Sequence, residues 1–144
     1  MYGDTNGGLG LIGDLYKTEI CALSRHVNEH AGRELIPQAI IDKEPSAELA
    51  PDQKDADSLP PYPVLDEVLK LLIEGEGLSR SEYQAAHNFV QALHESADGR
   101  ALVQRVRLLV ARSEYKRRQA PPIVRVRAKA FGNGRQMPIA ARYV

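Results

Sequence analysis

Lys17 is the first residue whose type and position could do chemistry. Asp14 fits the N-cap of a helix, which would place Lys17 in the first helical turn, where the helix dipole disfavours a cation by a few tenths of a kcal/mol. A phosphate bound beside the free backbone N–H groups of that turn would account for a lysine there. A solvated surface lysine fits the same pattern, so spacing alone leaves both interpretations open.

A second candidate cluster lies near the end of the helical region. Residues 113–122 contain Lys116, Arg117 and Arg118 in succession, directly after Tyr115. Three cations and an aromatic ring could contact phosphate and stack on a base. A solvated basic helix end is the competing interpretation, because cations near a helix C-terminus are favourable.

The stretch over residues 43–62 carries carboxylates, an amide and the hydroxyl of Ser46, spaced by prolines. Loops of this length are usually functional or disordered. These side chains could close over a nucleotide, or the stretch could be an acidic linker. Composition does not decide between the two.

No pattern of residues predicts a metal site or a nucleophile. His26 and His30 are four residues apart, a spacing that metal sites use, but no further ligand nearby completes a tetrahedral set. Cys21, the single cysteine, lies within a predicted helix and has no adjacent base to activate it. The sequence therefore predicts no catalytic residue and no metal ligand.

The elements that must carry these residues are mostly helical. The apolar spacing and the capping signals predict four helices: residues 15–31, a second beginning at Pro63 and ended by Gly75, a third behind a capping box of Ser79 and Glu82, and a fourth opened by Asp98. In the fourth helix, Leu102, Val106 and Leu109 form the expected buried stripe.

Three other segments are less regular. Residues 35–41 are short and apolar, and predict a brief strand or an extended connector. Pro121 and Pro122 end the helical region. Residues 124–131 then alternate apolar and basic side chains, the period of an edge strand or an extended arm. The fold class expected for this chain is mainly α, with about four helices, one long loop and a basic extended tail.

Composition limits the class of protein. The chain has 144 residues, enough for one modest domain, and a formal net charge of zero. No acidic residue follows Glu114, so the tail is basic and the rest is acidic. No apolar run approaches a membrane span, no signal peptide is visible, and one cysteine indicates a reducing compartment. We therefore expect a cytoplasmic protein with no membrane contact.

Several long motifs occur together in a specific order. They are Tyr2-Gly3-Asp4, Lys17-Thr18, Glu44-Pro45-Ser46-Ala47-Glu48-Leu49, Asp55-Ala56-Asp57-Ser58-Leu59-Pro60-Pro61-Tyr62 and Glu114-Tyr115-Lys116-Arg117-Arg118-Gln119-Ala120-Pro121. In this order the chain resembles NAD+ synthetase, and residues 129–139 resemble the glutamine-dependent branch in particular. The resemblance covers nearly the whole chain except residues 74–97.

The resemblance implies an enzyme that works in two steps. ATP, with Mg2+, adenylates the nicotinate carboxylate of deamido-NAD+, and ammonia drawn from glutamine then displaces AMP to give NAD+. It also implies that residues 1–144 are the C-terminal part of the synthetase domain. The parent domain would be an α/β, Rossmann-like ATP-pyrophosphatase fold whose parallel sheet lies mostly upstream.

The resemblance also implies roles for particular residues. Lys17 and Ser46 match the positions that bind ATP, while Lys116 and Tyr115 match the deamido-NAD+ site. Tyr115 stands where ammonia-dependent relatives have a histidine, and Gly8 stands where they have an aspartate that touches the dinucleotide.

The resemblance further implies what this chain lacks. The Ser-Gly-Gly-x-Asp-Ser phosphate loop, a metal-binding glutamate and the amidase domain do not occur in it. We therefore expect the chain alone to be inactive, with no tightly bound cofactor, and the whole enzyme to be a homo-oligomer that binds no nucleic acid. The alternatives are a basic nucleic-acid-binding module, another ATP-pyrophosphatase such as the amidotransferases that make GMP or asparagine, and a purely structural helical subdomain.

Overall fold

The computed structural model describes residues 7–46 and 50–129, and this part of the chain is mainly helical. Its α-helices are α1 Lys17–Ala31, α2 Gln38–Asp42, α3 Tyr62–Leu69, α4 Arg80–His94, α5 Ala97–Arg112 and α6 Glu114–Gln119. Within the described ranges there is no strand, and an isolated parallel bridge joins Gly10 to Ile123. The prediction of a mainly α chain is confirmed, with α2 and α6 in addition to the four expected helices.

The predicted capping box at the start of α4 is confirmed. The Glu82 N–H donates to the Ser79 hydroxyl at 3.3 Å, and the Ser79 N–H donates to the Glu82 carboxylate at 3.2 Å. Such a reciprocal pair satisfies two N–H groups that the helix itself cannot use. This signal is local in sequence, which is why it could be predicted without the tertiary structure.

Helix α5 begins at Ala97 and has a different N-cap from the one predicted. The Ser96 hydroxyl accepts the Gly99 N–H at 2.9 Å, so Ser96, and not Asp98, is the N-cap. At Gly99 a Cβ atom would lie 2.0 Å from the Leu93 carbonyl oxygen. Only glycine fits this close approach of α5 to the end of α4.

The close approach at Gly99 sets which face of α5 is buried. Val103 and Val106 are buried behind Gly99, and Ala86 and Val90 are the buried residues of α4. Val106 was predicted correctly, but Leu102 and Leu109 are only half-buried. The buried stripe is rotated by about one residue because the glycine, and not a leucine, faces α4.

Residues 35–41 do not form the strand or extended connector that the sequence predicts. Gln38–Asp42 form helix α2, because Pro37 starts a helical turn in which its carbonyl accepts the N–H groups of Ile40 and Ile41 at 2.9 and 3.3 Å. Proline is well suited to a helix start. The preceding connector is held by Asn28, whose side-chain oxygen Oδ1 accepts the Leu35 and Ile36 N–H groups.

The predicted start of α1 is wrong. Helix α1 begins at Lys17 after the N-cap Tyr16, and not at residue 15 behind Asp14. Of the two alternatives predicted for residues 124–131, the edge strand is wrong for the described part and the arm remains, because beyond the bridge at Ile123 the backbone donates to a side chain and not to a second strand. The last part of that segment, including Phe131, lies outside the described residues.

The long loop was predicted correctly within the described residues. Residues 43–46 and 50–61 are irregular except for a short 3-10 helix, Asp55–Asp57. After α3 the chain continues as a π-helical turn, Lys70–Glu74, and a 3-10 turn, Gly75–Gly77. Gly75 has a φ of 51°, a positive value that glycine adopts more readily than other residues.

The chain divides into two compact units. One contains residues 15–66, and the other contains residues 1–14 together with 67–144. The buried apolar side chains of the second unit include Val68, Leu78, Ala86, Val90, Val103 and Val106. None of the helices in the described ranges has the length and apolar character that a membrane span requires.

Candidate functional site

Lys17 is the first residue of α1, so its predicted place in the first helical turn is confirmed. Its side chain is half-buried and makes no hydrogen bond or ion pair with the described residues. The ammonium group therefore has no carboxylate partner there to neutralise it. A cation held without such a partner at the start of a helix can receive an anion.

The backbone N–H groups at the start of α1 are largely committed to carboxylates. The Tyr16 N–H donates to Glu19 at 3.0 Å, and the Thr18 N–H donates to Asp66 at 2.9 Å. Carboxylates at this end of a helix are favoured by its dipole. The sequence suggested free N–H groups beside Lys17, and this is wrong for Thr18. An anion at this site would depend on the side chain of Lys17 and not on a vacant helix terminus.

Ser46 lies in the same unit as Lys17, on the long loop. It is half-buried and borders an open cleft of about 620 Å3, which Lys43, Asp52 and Lys54 also line. Lys54 and Glu44, which both line this cleft, form an ion pair at 2.6 Å, and both side chains are more than half exposed. The Glu44 carboxylate raises the pKa of Lys54, so this lysine stays charged.

Asp52 marks local strain in the same loop. Its φ of 57° makes it the one residue other than glycine with a positive φ in the described ranges. Aspartate tolerates this conformation better than most residues, but the conformation still costs on the order of 1 kcal/mol. Strained backbone in a loop that lines a cleft is typical of functional sites.

The base of the loop is tied to the start of α3. The Tyr62 hydroxyl donates to Asp55 Oδ2 at 2.5 Å, and the Asp55 N–H donates to the Pro45 carbonyl at 2.9 Å. Burial is the largest cause that raises the pKa of Tyr62, and the charge of Asp55 adds to it. The phenol therefore remains a donor throughout the neutral range. Through Asp55, Tyr62 holds the segment next to Ser46.

The basic cluster of residues 113–122 differs from the sequence-based expectation. Glu114 is buried, and it accepts a hydrogen bond from Arg117 Nε at 2.9 Å and another from Arg118 Nε at 3.3 Å. The Arg117 side chain is only 10% exposed. Two of the three consecutive cations therefore neutralise a carboxylate of their own helix, while Tyr115 and Lys116 are exposed.

The tail is anchored by a buried carboxylate that the sequence assigned to a helix cap. Asp14 Oδ2 accepts the N–H groups of Val126 and Arg127 at 2.7 and 2.8 Å. Arg127 in turn reaches the buried Glu74 at 3.1 Å. Asp14, Glu74 and Arg127 thus hold residues 126–127 in place within the second unit.

The four predicted site residues fall in two places. Lys17 and Ser46 belong to the unit of residues 15–66, and Tyr115 and Lys116 lie together on α6 in the other unit. Gly8 is exposed, with open space where a Cβ atom would stand. The motif around Tyr2 and most of the branch motif of residues 129–139 lie outside the described residues.

Sequence reasoning missed the residues that support the site. Asp66 is 3% exposed on a helix whose neighbouring positions Leu65 and Val68 are apolar and buried. An acidic residue within such a stripe is a signal of a buried partner, since a buried charge needs compensation. Tyr62 and Asp55 were present in the quoted motif, but nothing in their spacing showed that they meet.

Comparisons with known proteins agree on one family. A family profile described as NAD synthase matches residues 1–120. The glutamine-dependent NAD(+) synthetase of Synechocystis sp. is 43% identical over 143 residues, which cover 99% of this chain and 23% of that protein. The enzyme of the same name from Thermotoga maritima is 42% identical over the same shares. The chain thus spans about a quarter of the length of the curated relatives that it matches.

A solved structure of glutamine-dependent NAD+ synthetase from Acinetobacter baumannii, in complex with adenosine diphosphate, is 32% identical to this chain. The match covers 88% of this chain and 19% of that one, with a TM-score of 0.40.

Proposed function

We propose that this chain, which belongs to the NAD synthase family, forms the C-terminal part of a synthetase domain that converts deamido-NAD+ to NAD+. The proposal rests on the match of residues 1–120 to the family and on relatives of which the chain spans 23%. The observation from the structure that supports it best is Lys17, a half-buried cation with no carboxylate partner among the described residues. In the complete enzyme the reaction uses ATP, deamido-NAD+ and ammonia derived from glutamine.

Lys17 and Ser46 are the residues that we assign to ATP. The Lys17 ammonium would neutralise charge on the triphosphate as pyrophosphate departs, a role that needs a cation without a competing carboxylate. The Ser46 hydroxyl would contact the nucleotide from the edge of the loop cleft. Both residues lie in one unit of the chain, which supports a shared role.

Lys116 and Tyr115 are the residues that we assign to deamido-NAD+. Both are exposed on α6, and they follow a glutamate that is already paired with Arg117 and Arg118. Lys116 is the cation of this pair. Its ammonium would meet the dinucleotide, with the Tyr115 ring beside it.

The chemistry that these residues support is carboxylate activation. Attack of the nicotinate carboxylate on the α-phosphorus of ATP forms an acyl-adenylate and releases pyrophosphate, which makes AMP the leaving group for ammonia. Holding the two substrates in line and neutralising phosphate charge account for most of such catalysis. Magnesium enters with ATP, and the described ranges contain no group of three His, Cys, Asp or Glu side chains arranged to hold it.

The remaining parts of the proposal concern the whole enzyme. We assign it to the cytoplasm as a homo-oligomer, with an amidase domain that supplies ammonia from glutamine. The pairing of Arg117 and Arg118 with Glu114 involves two of the cations on which the nucleic-acid-binding alternative is based.

The test is a pair of substitutions in the complete synthetase that carries this chain. We expect Lys17→Ala to raise the KM for ATP by roughly tenfold to a hundredfold, the range for loss of a contact between charged groups. The KM for deamido-NAD+ should change little. Lys116→Ala should show the reverse pattern, with the larger effect on deamido-NAD+.

The matched control is Arg25→Ala, which removes an exposed cation from the same helix two turns after Lys17. This variant should leave both KM values near those of the wild type. An unchanged KM for ATP in Lys17→Ala would refute the phosphate role of Lys17. Equal effects of Lys17→Ala and Arg25→Ala would show that only general electrostatics is involved.

A further inference from the structure

Two separate parts of the sequence that we assign to ATP are held by hydrogen bonds with residues at the start of α3. Lys17 begins α1, while Ser46 lies 29 residues later on the loop. Tyr62 and Asp66 lie one helical turn apart at the start of α3, and each makes one of these hydrogen bonds. All of these residues belong to the unit of residues 15–66.

The first half of this connection holds Lys17. Asp66 is 3% exposed, and its carboxylate accepts the N–H of Thr18, the residue directly after Lys17, at 2.9 Å. This contact joins positions 48 residues apart. A hydrogen bond to a buried carboxylate is stronger than one between neutral groups. It therefore fixes where the first turn of α1 lies, and with it the Cα atom from which Lys17 extends.

The second half holds the loop next to Ser46. The Tyr62 hydroxyl donates to Asp55 at 2.5 Å, and the Asp55 N–H donates to the Pro45 carbonyl at 2.9 Å. Pro45 directly precedes Ser46. Residues four apart on a helix lie on the same face, so Tyr62 and Asp66 hold the loop and α1 from one face of α3.

We propose that Asp66 and Tyr62 are positioning residues for ATP, which hold Lys17 and Ser46 in register with each other through Thr18 and Asp55. Neither residue touches the nucleotide in this role. The inference rests on the proposed function. It adds that α3 positions both residues that we assign to ATP, Lys17 and Ser46. In this role α3 would set the separation of the two groups before a triphosphate binds.

The test measures the KM for ATP, the KM for deamido-NAD+ and kcat in the complete synthetase. Tyr62→Phe keeps the ring and removes only the hydroxyl, and Asp66→Ala removes the acceptor of the Thr18 N–H. We expect each variant to raise the KM for ATP by roughly threefold to tenfold, as for the loss of one hydrogen bond. The KM for deamido-NAD+ should change by less than that.

Two comparisons separate positioning from a merely structural role. Asp66→Asn retains an oxygen that can accept the Thr18 N–H, so it should restore most of the ATP affinity lost in Asp66→Ala. In a Lys17→Ala background, Asp66→Ala should add little to the KM for ATP, because Asp66 acts through Lys17. Independent, multiplying effects in that double variant would overturn the proposal.

Controls keep each outcome decisive. Tyr83→Phe removes a hydroxyl that makes no hydrogen bond with the described residues, and it should leave the KM for ATP unchanged. If Asp66→Ala does not fold, Tyr62→Phe combined with Ser46→Ala gives the equivalent test on the other half. A raised KM for ATP in Lys17→Ala, with no effect of Tyr62→Phe or Asp66→Ala, refutes the link and leaves the proposed function intact. No effect of Lys17→Ala refutes the ATP role of Lys17, which is the part of the proposed function on which this inference rests.

Discussion

Asp14 offers a direct test of how the tail is held. Its carboxylate is 7% exposed and accepts two backbone N–H groups, from Val126 at 2.7 Å and Arg127 at 2.8 Å. Hydrogen bonds to a charged group contribute roughly 1.5–3 kcal/mol each. Val126 is 63% exposed, so water can replace part of what is lost. We therefore expect Asp14→Ala to lower the free energy of unfolding by about 2–4 kcal/mol.

The assay combines urea unfolding of the 144-residue chain with amide hydrogen exchange. In Asp14→Ala the amides of Val126 and Arg127 should lose protection before those of α4 and α5. Asp14→Asn keeps one acceptor oxygen without the charge. It should lower the free energy of unfolding by about half as much as Asp14→Ala does. This ranking distinguishes the lost acceptor from a general effect of changing a buried residue.

Asp98→Ala is the matched control, since Asp98 is an exposed carboxylate in the first turn of α5. Its removal should cost only a few tenths of a kcal/mol through the helix dipole. The reasoning fails if the Val126 and Arg127 amides exchange in Asp14→Ala at the wild-type rate. It also fails if Asp14→Ala and Asp98→Ala destabilise the chain equally.

Two further predictions concern carboxylates elsewhere in the second unit. Hydrogen bonding from Arg117 is the main cause that holds the pKa of Glu114 below its usual 4.5, so this stabilisation is complete at neutral pH and is lost as the pH falls below about 4.5. Urea midpoints measured from neutral to acidic pH should therefore fall more steeply for the wild type than for Glu114→Gln, and parallel curves would contradict this. Ser79→Ala removes one half of the capping box and should cost about 1 kcal/mol in thermal unfolding. Ser81→Ala in the same turn should stay within about 0.5 kcal/mol, and equal losses for the two serines would contradict the capping role.

Local signals in the sequence predicted most of the helical elements. The capping box at Ser79 and Glu82, and the end of the helices before Pro121, depend on neighbours within four residues. Such patterns are readable because the donors and acceptors that they pair are close along the chain. The order of the long motifs likewise led to the family, and the matches to relatives confirmed that conclusion.

Where a local signal competed with a distant partner, the prediction was wrong. Residues 37–41 combine a proline at a helix start with a β-branched pair that favours a strand. The helix forms, and Asn28 holds the connector before it. The buried stripe of α5 is rotated because Gly99 lies against the Leu93 carbonyl. Both outcomes depend on which surface a segment meets, and this is not encoded in its own periodicity.

The sequence by itself determined the helical character of this chain, its family, and the candidate residues Lys17, Ser46, Tyr115 and Lys116. The tertiary structure decided what the buried carboxylates do. Asp14 looked like a helix cap, yet its partners are 112 and 113 residues away. The sequence assigned no role to Asp66, whose carboxylate accepts the N–H of Thr18, 48 residues away in the chain. A buried charge must find a donor, and only the fold determines which distant donor it finds.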